Sequence, residues 1–207
     1  MSDDRPDDPA GPEPEGEAAP RGVILATNAL VLYSIMIGIA GVASWFILDR
    51  LPLKAEGSAG VPDPWKVGLG IGVGLGVFVV DQGLERLVPA FKRMSEAFKD
   101  LLGGMTGVQV MILAVASSVG EEIFFRGFLQ SWVGLVGASI LFGLLHIAPD
   151  RRLWMWPLLA IGMGFAFGWL FEYTGDVLAP MLAHFTINYF SLMVLSRRSA
   201  AASDAAP

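Results

Sequence analysis

Cysteine is absent from the 207-residue chain, which excludes disulfides and cysteine-based nucleophiles or metal sites. Histidine occurs only twice, and charged residues make up 16% of the sequence. Against 54% hydrophobic residues and a mean hydropathy of +0.57, that scarcity of charge falls outside the ordinary soluble class, so the expected fold is an all-α polytopic membrane protein. The G-x-G-x-x-G nucleotide fingerprint is missing too: the glycines at 68, 70, 72, 74 and 76 alternate strictly. No nucleic-acid partner is expected.

The first twenty residues lack any large apolar side chain after Met1, and they carry seven acids and one arginine, hence the whole net charge of −6. Such a segment cannot bury enough surface to offset its ordering entropy, so residues 1–20 read as a disordered acidic tail and spacer. It has no basic start running directly into a short apolar stretch, so the first apolar run is expected to stay as an anchor and not to be removed as a signal. Residues 21–198 then form one transmembrane helical domain with a motif core at 108–195, and 199–207 a short C-terminal tail.

Within the domain, Val23–Leu48 contains no charge and is long enough to cross a ~30 Å hydrocarbon core. Prolines and glycines from Asp49 to Pro64 mark a loop, and Trp65 opens a second helix whose overlapping G-x-x-x-G pairs permit close approach of a neighbour. From Pro89 to Leu102, Phe91, Met94, Phe98 and Leu101 recur every three or four residues with Lys92, Arg93 and Lys99 elsewhere on the wheel. This pattern predicts an amphipathic helix at the membrane surface, acting as a connector or as a gate. Four further helices are expected: Thr106–Gln130, Trp132–Ile147, Leu153–Phe171 with a kink at Pro157, and Val177–Leu195. Gly164 and Gly168 offer another close-packing pair, and Trp154, Trp156, Trp169 and Tyr173 read as interface belts.

About six spans place both termini on one side. Arg5, Arg21, Arg86, Lys92, Arg93, Lys99, Arg151, Arg152, Arg197 and Arg198 share that side, against Arg50, Lys54, Lys66 and at most Arg126. The bias predicts cytoplasmic N- and C-termini.

Polar residues that the domain does contain are concentrated. Glu121, Glu122 and Arg126 interrupt an apolar run from Val108 to Trp132, and ionisable groups at that depth cost roughly 2.5–3.5 kcal/mol each on insertion scales, so they mark function. Glu122 and Arg126 share one helix face, while Glu121 is rotated about 100° away, leaving one carboxylate paired and one free. The two histidines lie in Phe142-Gly143-Leu144-Leu145-His146 and His184-Phe185-Thr186-Ile187-Asn188. Counted at 1.5 Å per residue from the helix ends, Glu121, His146, His184 and Asn188 fall ~11–21 Å deep, all in the middle of the bilayer.

In order, E-E-x-x-x-R, F-x-x-x-H and H-x-x-x-N, with the approach Thr174-Gly175-Asp176-Val177-Leu178-Ala179-Pro180, resemble the CAAX-protease and bacteriocin-processing family of intramembrane endopeptidases over Val108–Tyr189. The resemblance implies a multi-pass endopeptidase of the bacterial cytoplasmic membrane, with the lipid bilayer around it and a membrane-tethered protein or peptide as substrate. It suits a compact member of the myxosortase-like kind, and it implies catalytic roles for Glu121, His146, His184 and Asn188, supported by Glu122, Arg126 and Phe142.

Peptide hydrolysis needs a base for water, a donor for the oxyanion and an acid for the leaving amine. Glu121 with His146 are the candidates for the base, and His184 with Asn188 for the oxyanion. No metal cofactor is expected. Zinc held by Glu121, His146 and His184 is the chemical rival, although H-E-x-x-H is missing. Ser117 and Ser118 as nucleophiles, a membrane scaffold or bacteriocin-immunity protein, and a proton-relay transporter are the remaining alternatives.

Overall fold

A computed structural model of the chain describes residues 21–57 and 60–204, so the expected disordered tail at 1–20 lies outside the described residues. Seven α-helices follow in order: α1 (Arg21–Leu48), α2 (Asp63–Leu87), α3 (Pro89–Leu102), α4 (Gly107–Glu121), α5 (Gln130–Leu144), α6 (Trp156–Thr174) and α7 (Leu178–Asp204). A π-helical stretch, Glu122–Leu129, joins α4 to α5, and a single 3-10 turn, Arg151–Leu153, precedes α6. The fold is all-α and polytopic, with five helical segments long and apolar enough to cross a membrane.

Local chemistry sets the helix starts. Thr106 caps α4 in a reciprocal box, accepting from the Gln109 amide at 3.3 Å while Gln109 Oε1 accepts from the Thr106 amide at 2.9 Å. Proline occupies the first turn of α2, α3 and α6. Pro157 therefore opens α6, where its missing N–H is harmless, and it does not kink the helix as the sequence suggested. At the other end of the chain α7 runs on to Asp204, past the boundary expected at residue 198.

Of the five long segments, 107–144 is not one straight rod. Gly134 has φ 78° and ψ 169°, and the chain folds back there. A Cβ on Gly164 would meet Ser139, while the Gly164 carbonyl also faces Arg126; Gly168 likewise faces both Leu135 and Gln130. Residues equally far before and after the turn thus lie side by side, with the Phe125 and Phe142 rings 4.9 Å apart. The leg after the turn, Leu135–Leu144, is only ~15 Å long, half of a ~30 Å core. Of the six expected spans, the fourth is accordingly a short helix, too short to cross a ~30 Å core by itself.

Glycines fix the register between helices. Cβ atoms on Gly70 and Gly74 would lie 2.6 Å from the Ala179 carbonyl and 2.7 Å from the Ala183 carbonyl, so α2 and α7 run parallel in close contact. The intervening Gly68, Gly72 and Gly76 face open space, so only one stripe of the alternating glycines packs as expected. α1 runs parallel to α4 and the π-helical stretch in the same way, with Gly22 against Gln109, Tyr33 against Gly120 and the Pro52 carbonyl against Gly127.

These registers gather the start of α1, α3, the start of α4 and the end of α7 at one end of the molecule. Ser196 Oγ donates to the Met105 carbonyl at 2.5 Å, and Arg198 pairs with Glu85 there. Among the described residues, the basic residues assigned to one side collect at this end, including Arg152, which pairs with Asp100 of α3 at 2.8 Å. The amphipathic α3 buries Phe91, Met94 and Ala97 towards the bundle. Trp154, Trp169 and Tyr173 are exposed as belts require, but Trp156 turns inward against Phe98, with ring centroids 4.9 Å apart.

Candidate active site

Glu121 is the last residue of α4, and the wider π-helical turn begins with Glu122. Such turns interrupt α-helices most often at functional sites. Glu122 and Arg126 are buried completely, and Arg126 Nη1 donates to Glu122 Oε1 at 3.1 Å. Its guanidinium lies over the Phe142 ring at 4.5 Å and near Phe167 at 5.4 Å, and Nη2 reaches the Gly164 carbonyl at 3.5 Å. Paired, hydrogen-bonded and covered by π faces, this charge is tolerated at depth.

The expected division into one paired and one free carboxylate holds, with an addition. His184 Nδ1 lies 2.8 Å from Glu122 Oε1. A carboxylate accepts, so Nδ1 donates and Nε2 becomes the free ring nitrogen, aimed at Glu121 Oε2 from 3.8 Å. Stacking on Phe167, with centroids 5.2 Å apart, holds the ring plane. The pair assigned a supporting role therefore also orients a histidine.

His146 reaches the same oxygen from the other side. α5 ends at Leu144 because Pro149 disfavours helical backbone before it, which leaves His146 on the first turn beyond the helix and not inside it. Its Nδ1 donates to the Phe142 carbonyl at 2.6 Å, and its Nε2 stands 4.0 Å from Glu121 Oε2. The ring packs on Phe142, with centroids 4.4 Å apart, and against Trp156 at 5.3 Å. Phe142 thus serves both histidines, through its carbonyl and through its ring.

Glu121 is itself held through one oxygen. Tyr33 of α1 donates to Oε1 at 2.8 Å, whereas Oε2 is buried with no hydrogen-bond partner among the described residues. On the far side, Asn188 Nδ2 donates to Ser117 Oγ at 2.9 Å, one turn before Glu121. All seven residues singled out in the sequence come together, and Tyr33, Ser117, Trp156 and Phe167 join them. Ser117 was legible as the residue four positions before Glu121. Tyr33 sits in a charge-free span at a depth where tyrosine is unusual, which is the signal that could have found it.

Glu121, His146, His184 and Asn188 line the inner end of a cavity of about 410 Å³. Its walls pass Leu113, Leu159, Ile187 and Leu192 and reach Phe91, Met94 and Phe98 of α3, with Asp81, Glu85 and Arg198 at the outer rim. The apolar face of α3 is therefore part of the cavity wall, which a bare connector would not require.

The donor types around Oε2 suit zinc, since both histidines present Nε2 with Nδ1 anchored. Their spacing does not: two donors on one tetrahedral zinc ion lie about 3.3 Å apart. No group of three His, Asp or Glu side chains among the described residues is placed to hold a metal ion.

Residues 104–190 match the family model described as "Type II CAAX prenyl endopeptidase Rce1-like", so the resemblance carried by the three motifs is borne out over that segment. The chain is 34% identical over 79 residues to "Uncharacterized protein YpbD" of Bacillus subtilis (strain 168), covering 38% of this chain and 41% of that protein. It is 32% identical over 123 residues to "Putative membrane peptidase YdiL" of the same organism, covering 54% of this chain and 48% of that protein. The matches thus span less than half the length of these curated relatives. No solved structure matches the chain.

Proposed function

From a chain whose residues 104–190 carry the Rce1-like motifs, we propose an intramembrane endopeptidase that hydrolyses a peptide bond of a membrane-tethered protein or peptide, with water activated by Glu121. The single observation that carries this reading is the convergence of His146 Nε2 and His184 Nε2 on the unpaired Oε2 of Glu121, inside a buried cavity. Separations of 3.8 and 4.0 Å are too long for direct hydrogen bonds and match a water seated among the three atoms, donating one hydrogen to Glu121 Oε2 and the other to one of the two imidazoles.

In this mechanism Glu121 Oε2 takes a proton from that water as its oxygen bonds to the scissile carbonyl carbon. The electron pair of the carbonyl moves to its oxygen, where the Asn188 amide, held in place by Ser117, donates to it. Collapse of the adduct expels the amine, which receives the proton back from Glu121, and the products are a carboxylic acid and an amine, which ionise to a carboxylate and an ammonium once in water. His146 and His184 hold the water; His184 stands nearer to the base than an oxyanion role alone requires. Neither histidine needs to bond the substrate.

The apolar cavity admits one extended segment, with α3 presenting it to the carboxylate. The protein lies in the bacterial cytoplasmic membrane with both termini and the rim of the cavity in the cytoplasm. Purified protein in liposomes, assayed on lipid-anchored and helix-tethered peptides, tests the reading. Chelator-treated, metal-free protein keeps its rate if Glu121 acts unaided. Loss of activity on stripping with recovery on zinc addition replaces the mechanism with a metal-assisted one at the same residues. Cleavage of none of the tethered substrates favours a scaffold.

A further inference from the structure

We propose that Tyr33 is the positioning residue for Glu121. Resting on the reading of Glu121 as the base, this assigns α1 a part in the site: the tyrosine hydroxyl holds one carboxylate oxygen so that the other is presented to the two histidines. The match at residues 104–190 does not reach α1, so it says nothing of this residue.

Three observations support the assignment. First, the two oxygens of Glu121 are unequal. Oε1 accepts the Tyr33 O–H at 2.8 Å, and Oε2, without a hydrogen-bond partner among the described residues, faces His184 and His146. A carboxylate free to turn about its last bond would swing away from the histidines, because that torsion is broad. A donor on one oxygen fixes the plane of the group and so aims the other oxygen.

Second, the helix carrying Glu121 is shaped to admit this ring. Gly120 directly precedes the carboxylate, and a Cβ there would stand 2.6 Å from Tyr33 Cβ and 2.9 Å from its Cδ1. Glycine in a helix interior is destabilising relative to alanine. Here it lets the tyrosine lie against the backbone, one residue from the group it holds.

Third, the depth of Tyr33 is unusual. It lies twelve residues beyond Arg21, ~18 Å along α1, far from the interfacial positions where tyrosine is enriched. Leu32 and Val31 beside it face outward, whereas Tyr33 is half-buried and lines the cavity. An inward hydroxyl at that depth needs a partner, and Glu121 is the one it has.

Tyr33→Phe, which removes the hydroxyl and keeps the ring, tests the assignment. In the tethered-peptide assay kcat falls about 10–100-fold with KM unchanged, as expected when the reacting geometry loosens and binding does not. Infrared spectra supply a readout that needs no substrate. The wild-type minus Y33F difference shows a displaced carboxylate band, and the E121Q minus E121Q/Y33F difference does not. Gly120→Ala, which pushes the ring away, displaces the same band. An unchanged band in Y33F, or equal displacement in the E121Q background, overturns the assignment, as does a raised KM with unchanged kcat. Because the infrared result stands without activity, a protein that cleaves nothing would sink the protease reading and leave the Tyr33 contact separately decided.

Discussion

His184 donates through Nδ1 to Glu122 at 2.8 Å while its other nitrogen faces Glu121 from 3.8 Å, so two adjacent carboxylates share one imidazole. They do so for opposite ends. Glu122, fully buried and bonded to Arg126, fixes the ring; Glu121, on the cavity wall, is what the ring serves.

That division predicts different fates for neighbouring, nearly isosteric substitutions. Glu122→Gln leaves Arg126 charged among Phe125, Phe142 and Phe167 without its counter-charge, and removal of one partner from a buried pair costs about 3–5 kcal/mol. Denaturant unfolding in detergent should register that loss. Glu121→Gln should accumulate and unfold nearly as wild type, yet lose about 10²–10⁴-fold in kcat, the usual contribution of a general base. Full cleavage by E121Q removes the base assignment.

For the histidines, alanine at either position should lower kcat severely, because both Nε2 atoms address one oxygen. The double variant should then be little worse than the single ones, since residues acting as a unit are not additive. Cleavage rates of H146A, H184A and the pair measure this, and strictly multiplicative losses would separate their roles.

At Gly134 the backbone adopts φ 78° and ψ 169°, with open space where a Cβ would stand. Gly134→Ala should therefore cost only backbone strain, about 1–3 kcal/mol. Gly127 has no positive φ but lies under the carbonyl of Pro52, four residues past the end of α1, so Gly127→Ala must push the end of α1 and its following loop away from the π-helical stretch. Cross-linking cysteines introduced at Leu48 and Phe124, which pack in one cluster, should lose efficiency in the G127A background and keep it in G134A.

Orientation follows from where the basic residues gather. Reporters fused after Pro207 should read cytoplasmic, and those inserted at Gly57 or at the Gly134 turn should read external. An external C-terminal reporter would reverse the proposed entry side of the cavity.

How much of this was legible beforehand follows from what periodicity can report. Charge-free runs, proline and glycine punctuation and the wheel positions of Glu121, Glu122 and Arg126 describe each helix relative to its own axis. They were enough for the all-α membrane fold and for the amphipathic helix at Pro89–Leu102. The resemblance of the ordered motifs added the chemistry.

What lies between helices was decided only by tertiary structure. Gly134 turns the chain back within an apolar run because its positive φ suits glycine, and nothing in hydropathy marks the place. Gly70 and Gly74 set interhelical register against backbone carbonyls of α7, and Gly120 against the Tyr33 side chain, whereas Gly68, Gly72 and Gly76, identical in sequence terms, face open space. That register brings Tyr33 to Glu121 across 88 residues, and His184 to Glu122 across 62. A hydrogen bond between helices depends on both axes at once, and a sequence read one helix at a time carries only one of them.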